Sequence, residues 1–389
     1  MDYFKKSLEL HREHRGKIEL ASKVVVKDKH DLSTVYSPGV AEPCKAIAEN
    51  PELVHELTIK SNTVAVVSDG SAVLGLGNIG PLAAIPVMEG KALLFKEFAG
   101  VDAFPICLDT QDIDEIVLIV KRIAPVFGGV NLEDIAAPRC FEVEQRLQNI
   151  GIPVFHDDQH GTAIVLLAGL INACKVTGKK IQDLKVVVNG SGAAGIAITR
   201  MLRCVNFSEG DCTPVKNIIV CDSKGAISHS RDNLTAVKKE LLWYTNPNKE
   251  SGSVYDVLKD ADVFIGVSVG NLLTQEHIKS MAPDPIILAM ANPIPEIMPE
   301  EAYKAGAAIV GTGRSDFANQ VNNVLAFPGI FKGALSVGAK SITPKMRLAA
   351  AYAIAESIDT PTKDMILPQS LDKSVVDNVA RVVAEAWEG

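Results

Sequence analysis

Residues 155–163 read FHDDQHGTA and residues 131–134 read NLED, so two acidic doublets, Glu133-Asp134 and Asp157-Asp158, each follow an apolar stretch. The stretches before them, VFGGV and GIPVF, have the length and composition of short buried strands. AIVLLAGLINAC, after the second doublet, reads as a buried helix. In a parallel α/β sheet the carboxyl ends of the strands share one rim, and four carboxylates there repel one another unless a cation lies between them. The donors on offer are oxygens with no Cys–His spacing, so the ion is Mg2+ or Mn2+ rather than zinc. Helix N-capping accounts for one acid of each doublet, Asp134 or Asp158, but not for two at both places. His156 and His160 are read as supporting or packing residues rather than ligands.

A second constellation is GSGAAG, residues 190–195, directly after the strand-like KVVVN and opening a helix-like run. Gly190 permits the tight turn, Gly192 a close approach of pyrophosphate, and Gly195 close packing of helix on strand. Ser191, Ala193 and Ala194 complete a loop whose free N–H groups and helix dipole suit phosphate. NIIVCD then supplies Asp222 for the ribose, later than the usual spacing of about 20 residues because NFSEGDCTPVKN intervenes. Asp222 favours NAD, whereas Ser223 and Lys224 could hold the 2′-phosphate of NADP, and the choice stays open. GLGNIG, residues 75–80, lacks a following strand-end acid and is read as a packing or substrate-facing loop, not a second nucleotide site.

A dinucleotide fold performs hydride transfer, and a divalent ion beside it suits a hydroxy acid whose oxidation product loses CO2. Such chemistry needs a base and an acid. Lys91, in the apolar stretch MEGKALLFKEF, is the candidate base, with desolvation expected to lower its pKa toward neutrality. Tyr36, in VYSPG, is the candidate acid.

These residues need a scaffold. At 389 residues, 47% of them hydrophobic, the chain is long enough for two cores. Strand-like and helix-like stretches alternate from about residue 63 onward, which means a parallel sheet with helical crossovers, twice over. The first 60 residues read as helices around one ordered, non-helical loop, DLSTVYSPGVAEPC. The tail from about 344 is helical. A net charge of −8 argues against nucleic acid or an anionic membrane as partner. The run Ala163–Cys174 is too short to span a bilayer and carries Asn172, and no signal-peptide pattern opens the chain, so a soluble cytoplasmic protein is expected. The seven cysteines, 44, 107, 140, 174, 204, 212 and 221, contain no CxxC and are expected to be buried reduced thiols.

TVYSPGVAEPC, VSDGSAVLGLGNIG, EGKALLFKEFAG, VNLEDI, FHDDQHGTA, GSGAAG, MANP and NQVNNVLAFPG occur in the order found in malic enzymes, and the chain resembles the compact microbial members along nearly its whole length. The resemblance implies an α/β protein of two domains, an N-terminal catalytic domain (1–158) for metal and substrate and a Rossmann-type doubly wound domain (159–389) with C-terminal helices. It implies oxidative decarboxylation of malate to pyruvate, NAD or NADP as cofactor, Mg2+ or Mn2+, and a homodimer. By the same resemblance Tyr36 is the acid, Lys91 the base coupled to Asp157, and Glu133, Asp134 and Asp158 the metal ligands. Asn292 and Asn323 contact substrate or nicotinamide, with Asn322 beside them. Larger relatives carry a carboxylate-binding arginine where this chain has Ser71-Ala72, and Arg314 of GTGRSDF is the candidate replacement.

Overall fold

The structure, a computed structural model, describes residues 3–73 and 75–389. Two sheets organise it. The first is wholly parallel, in the order β2-β1-β3-β4, from β1 (Thr63–Ser68), β2 (Asp102–Cys107), β3 (Gly129–Leu132) and β4 (Val154–His156). The second has the order β10-β9-β8-β5-β6-β7. Its parallel members are β5 (Lys185–Asn189), β6 (Asn217–Asp222), β8 (Val263–Gly266), β9 (Ile286–Ala289) and β10 (Ile309–Thr312). The two-residue β7 (Gly225–Ala226) closes one edge antiparallel. Most of these strands are buried along their whole length, as strands covered by helices on both faces must be.

Between the sheets runs the helix Asp157–Thr177, with Ile164, Leu166, Ala168 and Leu170 fully buried. It packs on the helices Ala193–Leu202 and Pro344–Glu356, so one apolar core runs from Val64 and Phe95 of the first half to Val186 and Val383 of the second. Because the helix begins at Asp157 rather than Ala163, its 21 residues make it long and apolar enough to cross a bilayer, contrary to the reading from the apolar run alone. Here it is a core helix. Asn172, fully buried, donates to the carbonyls of Ala355 and Ile366, which ties it to the tail.

The N-terminal arm differs from expectation. DLSTV is helical, within Lys29–Val35, because the Asp28 carboxylate accepts from the N–H groups of His30 and Asp31 and starts the turn. AEPC is the first turn of Ala41–Glu49, where Pro43 lacks only an N–H that has no helical partner anyway. The non-helical loop shrinks to the turn around Pro38. No described residue before Lys60 is buried.

Cysteine usage also departs from the expectation. Cys204 and Cys212 form a disulfide across a turn that brings their Cα atoms to 5.8 Å, and Cys44 is exposed. The intervening turn, unread from the sequence, is what folds the long NFSEGDC connection back on itself. Cys140, Cys174 and Cys221 are buried free thiols.

Candidate active site

Strand register builds the acidic site. Leu132 at the end of β3 lies opposite His156 at the end of β4, so Glu133-Asp134 and Asp157-Asp158 leave the sheet side by side. One oxygen each of Glu133, Asp134 and Asp158 lies within 4.8 Å of the others. Glu133 and Asp134 are buried, and the Asp158 side chain is one-third exposed. The doublets are not caps. The helix starts after His156 with no side-chain cap, and Asp158 Oδ2 instead accepts from the backbone N–H of Asp134 at 2.8 Å. Asp134 takes a left-handed backbone conformation, φ 54°, which a non-glycine residue adopts at a cost and which recurs at functional sites. Ser71 supports that turn: its hydroxyl donates to Asp69 and accepts from the Ala136 N–H. Ser71 therefore shapes the acidic loop; it brings no cation.

Lys91 enters from the helix Gly80–Leu94, 8% exposed. Its Nζ lies 2.6 Å from Asp157 Oδ2, 3.0 Å from Glu133 Oε1 and 4.3 Å from the centre of the Phe327 ring. Burial works to lower its pKa, but the charges of Asp157 and Glu133 overcome it and hold the ammonium above its ordinary value. This corrects the expectation of a near-neutral lysine, because desolvation was weighed there without the two carboxylates. Burial, helped by the Asp158 charge, pushes Glu133 up to about 7, and burial with Asp157 pushes Asp158 up to about 6. Fully buried Asp157 also accepts from Asn323 Nδ2. Carboxylates raised by burial and mutual repulsion, all oxygen donors on one rim, fit a hard divalent cation.

Three residues of this site were not singled out by sequence reasoning. Asn131 Nδ2 donates to Glu133 Oε2 at 2.8 Å and orients it. Phe327 roofs Lys91. Gly161, one turn after Asp157, leaves space that a Cβ would take away, since that atom would stand 1.8 Å from Asp157 Oδ1. Its signal was the fifth letter of DDQHG. Gly161→Ala is expected to cut kcat at least about tenfold through displacement of Asp157, with dinucleotide affinity retained. Steady-state kinetics beside a dinucleotide titration check this, and an unaffected kcat contradicts the assigned position.

The dinucleotide constellation is equally local. Gly190 has φ 128° and sits against the Val267 carbonyl, and a Cβ on Gly195 would stand 1.8 Å from the Gly190 carbonyl oxygen. Gly192, by contrast, faces open space and precedes the helix Ala193–Leu202, whose N-terminus has no side-chain cap. Free helical N–H groups over an open loop make a phosphate cradle. A cleft of about 710 Å3 runs from there past Ser191, Asp222, Ser223, Lys224 and Lys238. Asp222 is already fully engaged. It holds Arg231 at 2.8 and 3.0 Å, Lys238 at 2.6 Å and the N–H of Lys224. Those bonds outweigh burial and hold its carboxyl well below the usual range. Arg231 and Lys238 were missed because they follow 9 and 16 residues later, outside any motif.

The remaining candidates lie around a loop junction. A Cβ on Gly75 of GLGNIG would come within 2.9 Å of the Asn292 carbonyl, and one on Gly313 within 2.8 Å of Asn292 Nδ2. GLGNIG, MANP and GTGRSDF therefore meet. Arg314 is bound to Asp316 through two nitrogens and to the Pro293 carbonyl. Asn322 turns away to cap its own short helix, accepting from Val324 N–H. Tyr36 is not brought to Lys91 by any described contact: it is 68% exposed on the N-terminal arm.

A glycine cradle on one sheet and a buried acid–lysine cluster on another define a two-domain α/β dehydrogenase. The profile "Malic enzyme, N-terminal domain" matches residues 15–148, and "Malic enzyme, NAD binding domain" matches residues 159–387. The chain belongs to the malic enzyme family. It is 58% identical to the bifunctional malic/malolactic enzyme of Bacillus subtilis over 99% of this chain and 93% of that one. It is equally similar, at 58%, to the NAD-dependent malic enzyme of Geobacillus stearothermophilus, covering 95% of this chain and 76% of that protein. Among solved structures, the NAD-dependent malic enzyme of Thermotoga maritima superposes with a TM-score of 0.92 at 52% identity, covering 97% of this chain and 98% of that one.

Proposed function

We propose that the protein catalyses divalent-metal-dependent oxidative decarboxylation of malate to pyruvate and CO2, with reduction of NAD+ or NADP+. The carrying observation is the juxtaposition of Lys91–Asp157 with the Glu133, Asp134, Asp158 trio at one strand rim. Lys91 takes the proton from the malate hydroxyl as hydride leaves for the nicotinamide. Asp157, fixed by Asn323 and given room by Gly161, holds the Lys91 ammonium in line and stabilises it once charged. Glu133, Asp134 and Asp158 would hold Mg2+ or Mn2+, which when bound polarises the substrate oxygen and stabilises the enolate left by CO2 loss. Glu133, were its charge shared with a cation, would raise the Lys91 pKa less than it does here, leaving Asp157 as the larger influence on the ammonium. Phe327 and the surrounding core exclude water from the ammonium. Asn292, at the loop junction, orients substrate or nicotinamide, and Asn322 caps the short helix that carries Asn323. Arg314 receives the second carboxylate by exchanging Asp316 for it.

Gly190 to Gly195 receive the pyrophosphate. Asp222 is saturated by Arg231 and Lys238, so its charge toward a 2′-phosphate is neutralised, and Ser223 and Lys224 stand beside it. That arrangement supports use of NADP+ as well as NAD+. We place the division between the catalytic and dinucleotide domains at 158/159, between the last metal ligand and the body of the shared helix. A cytoplasmic homodimer completes the reading. The arm exposes Leu20 at 84% and Val25 at 71%, apolar surface that a second copy covers. Tyr36, the proposed acid for the enolate carbon, rides on that arm, so its role requires the arm to be held against an active site. The test is the initial rate of nicotinamide reduction on L-malate with Mn2+, NAD+ and NADP+ side by side. Turnover abolished by a chelator supports the reading; turnover that survives chelation counts against it.

A further inference from the structure

We infer that Glu144, His160 and Arg347 form a positioning device for the catalytic carboxylates, in which the His160 ring ties the turn carrying Asp157 and Asp158 to both halves of the protein. The inference rests on the metal-site reading above. His160 lies in the first turn of the helix Asp157–Thr177, two residues after Asp158. Its Nε2 is 2.7 Å from Glu144 Oε1, and its Nδ1 is 2.7 Å from Arg347 Nη1. The same Nη1 also lies 3.2 Å from Nε2, so the guanidinium rests against the ring while Nε2 faces the Glu144 carboxylate.

The two charged partners come from different places. Glu144 belongs to the helix Arg139–Leu147, which packs against β4 of the first sheet. Arg347 belongs to Pro344–Glu356, in the C-terminal tail. Glu144 is 8% exposed, and its second oxygen accepts from Gln159 Nε2 at 3.1 Å, so one carboxylate grips two consecutive residues of the catalytic turn. The hydrogen bonds of Arg347 go to the His160 ring, while its Nε is buried without one. A direct Glu144–Arg347 pair would balance the charges without involving the helix that carries the acids. Placing the ring between them makes the position of that turn depend on both neighbours. The ring also rests on Phe155, 5.6 Å between centres, in the strand leading to the doublet. Partners of this kind set the direction of metal-binding carboxylates, and small displacements there are costly.

The test measures Mn2+ affinity from free Mn2+ by electron paramagnetic resonance without substrate, then kcat and the dinucleotide KM, on the full-length protein. His160→Leu is expected to weaken Mn2+ binding about tenfold or more. It is also expected to lower kcat about 100-fold, with the dinucleotide KM little changed. His160→Gln, which keeps one donor and one acceptor, should recover most of both losses. Single removal of a charge leaves its partner buried and unpaired, so Glu144→Gln with Arg347→Met serves if His160→Leu does not fold. That pair should show the same loss of Mn2+ affinity and kcat. Folded variants with wild-type Mn2+ affinity and kcat would overturn the inference and leave a purely structural bridge. Wild-type protein that binds no Mn2+ would instead overturn the metal reading beneath it.

Discussion

Lys91→Ala is expected to lower kcat by about 10^3-fold while the dinucleotide dissociation constant stays at its wild-type value, because general base catalysis contributes about 10^2 to 10^4 in rate. The separation follows from the architecture. Lys91 sits against the first sheet, with Asp157 at 2.6 Å and Glu133 at 3.0 Å, whereas the glycine cradle belongs to the second. Alanine also removes the stem that packs under Phe327 and leaves two buried carboxylates without their cation. Lys91→Met keeps most of that packing and should show the same loss of kcat. Stopped-flow turnover and a fluorescence titration of the dinucleotide check both variants. Turnover within a factor of a few of wild type would exclude Lys91 as base.

The second large effect is the dependence of metal binding on pH. Glu133 stands at about 7 and Asp158 at about 6, both raised chiefly by burial. A protonated carboxyl does not bind a divalent cation, so Mn2+ affinity should fall as pH drops from 8 through 6, by up to about tenfold per unit for each proton displaced. The sign for stability is opposite in the metal-free protein. Their folded pKa values lie above the ordinary values of 4.5 and 3.8, so the contribution of these groups is fully present below those values and is lost as pH rises through 6 and 7. The thermal midpoint of chelated protein should accordingly decline across that window relative to an Asp158→Asn variant, and Mn2+ should restore most at the alkaline end. A metal affinity that is flat between pH 6 and 8 contradicts the assigned ligands.

Which parts of this were legible in the sequence follows from how far each signal reaches along the chain. The long strands were visible because strands buried on both faces read as unbroken apolar runs, and the acidic doublets because each closes such a run. The edge strand Gly225–Ala226 has no such signature in two residues. Helix Lys29–Val35 was hidden by Pro38 and Gly39 just beyond it, although Asp28 marks its start. The Cys204–Cys212 link needs a turn that composition does not announce. Partners distant in sequence were the least legible. Asp222 read as a free ribose acceptor because Arg231 and Lys238 lie outside the motif, and His160 gave no hint of Arg347, 187 residues on. Lys91 was found as a site residue and misjudged in its protonation for the same reason, since Asp157 lies 66 residues away.

The coupling of oxidation to CO2 loss at one acid–lysine cluster is tested most directly by stoichiometry. Purified protein with Mn2+, NAD+ or NADP+ and malate labelled with 13C at C4 should release labelled CO2 and reduced nicotinamide in equal amounts, with unlabelled pyruvate as the organic product. Reduced nicotinamide without labelled CO2, or labelled CO2 without reduced nicotinamide, would contradict the account.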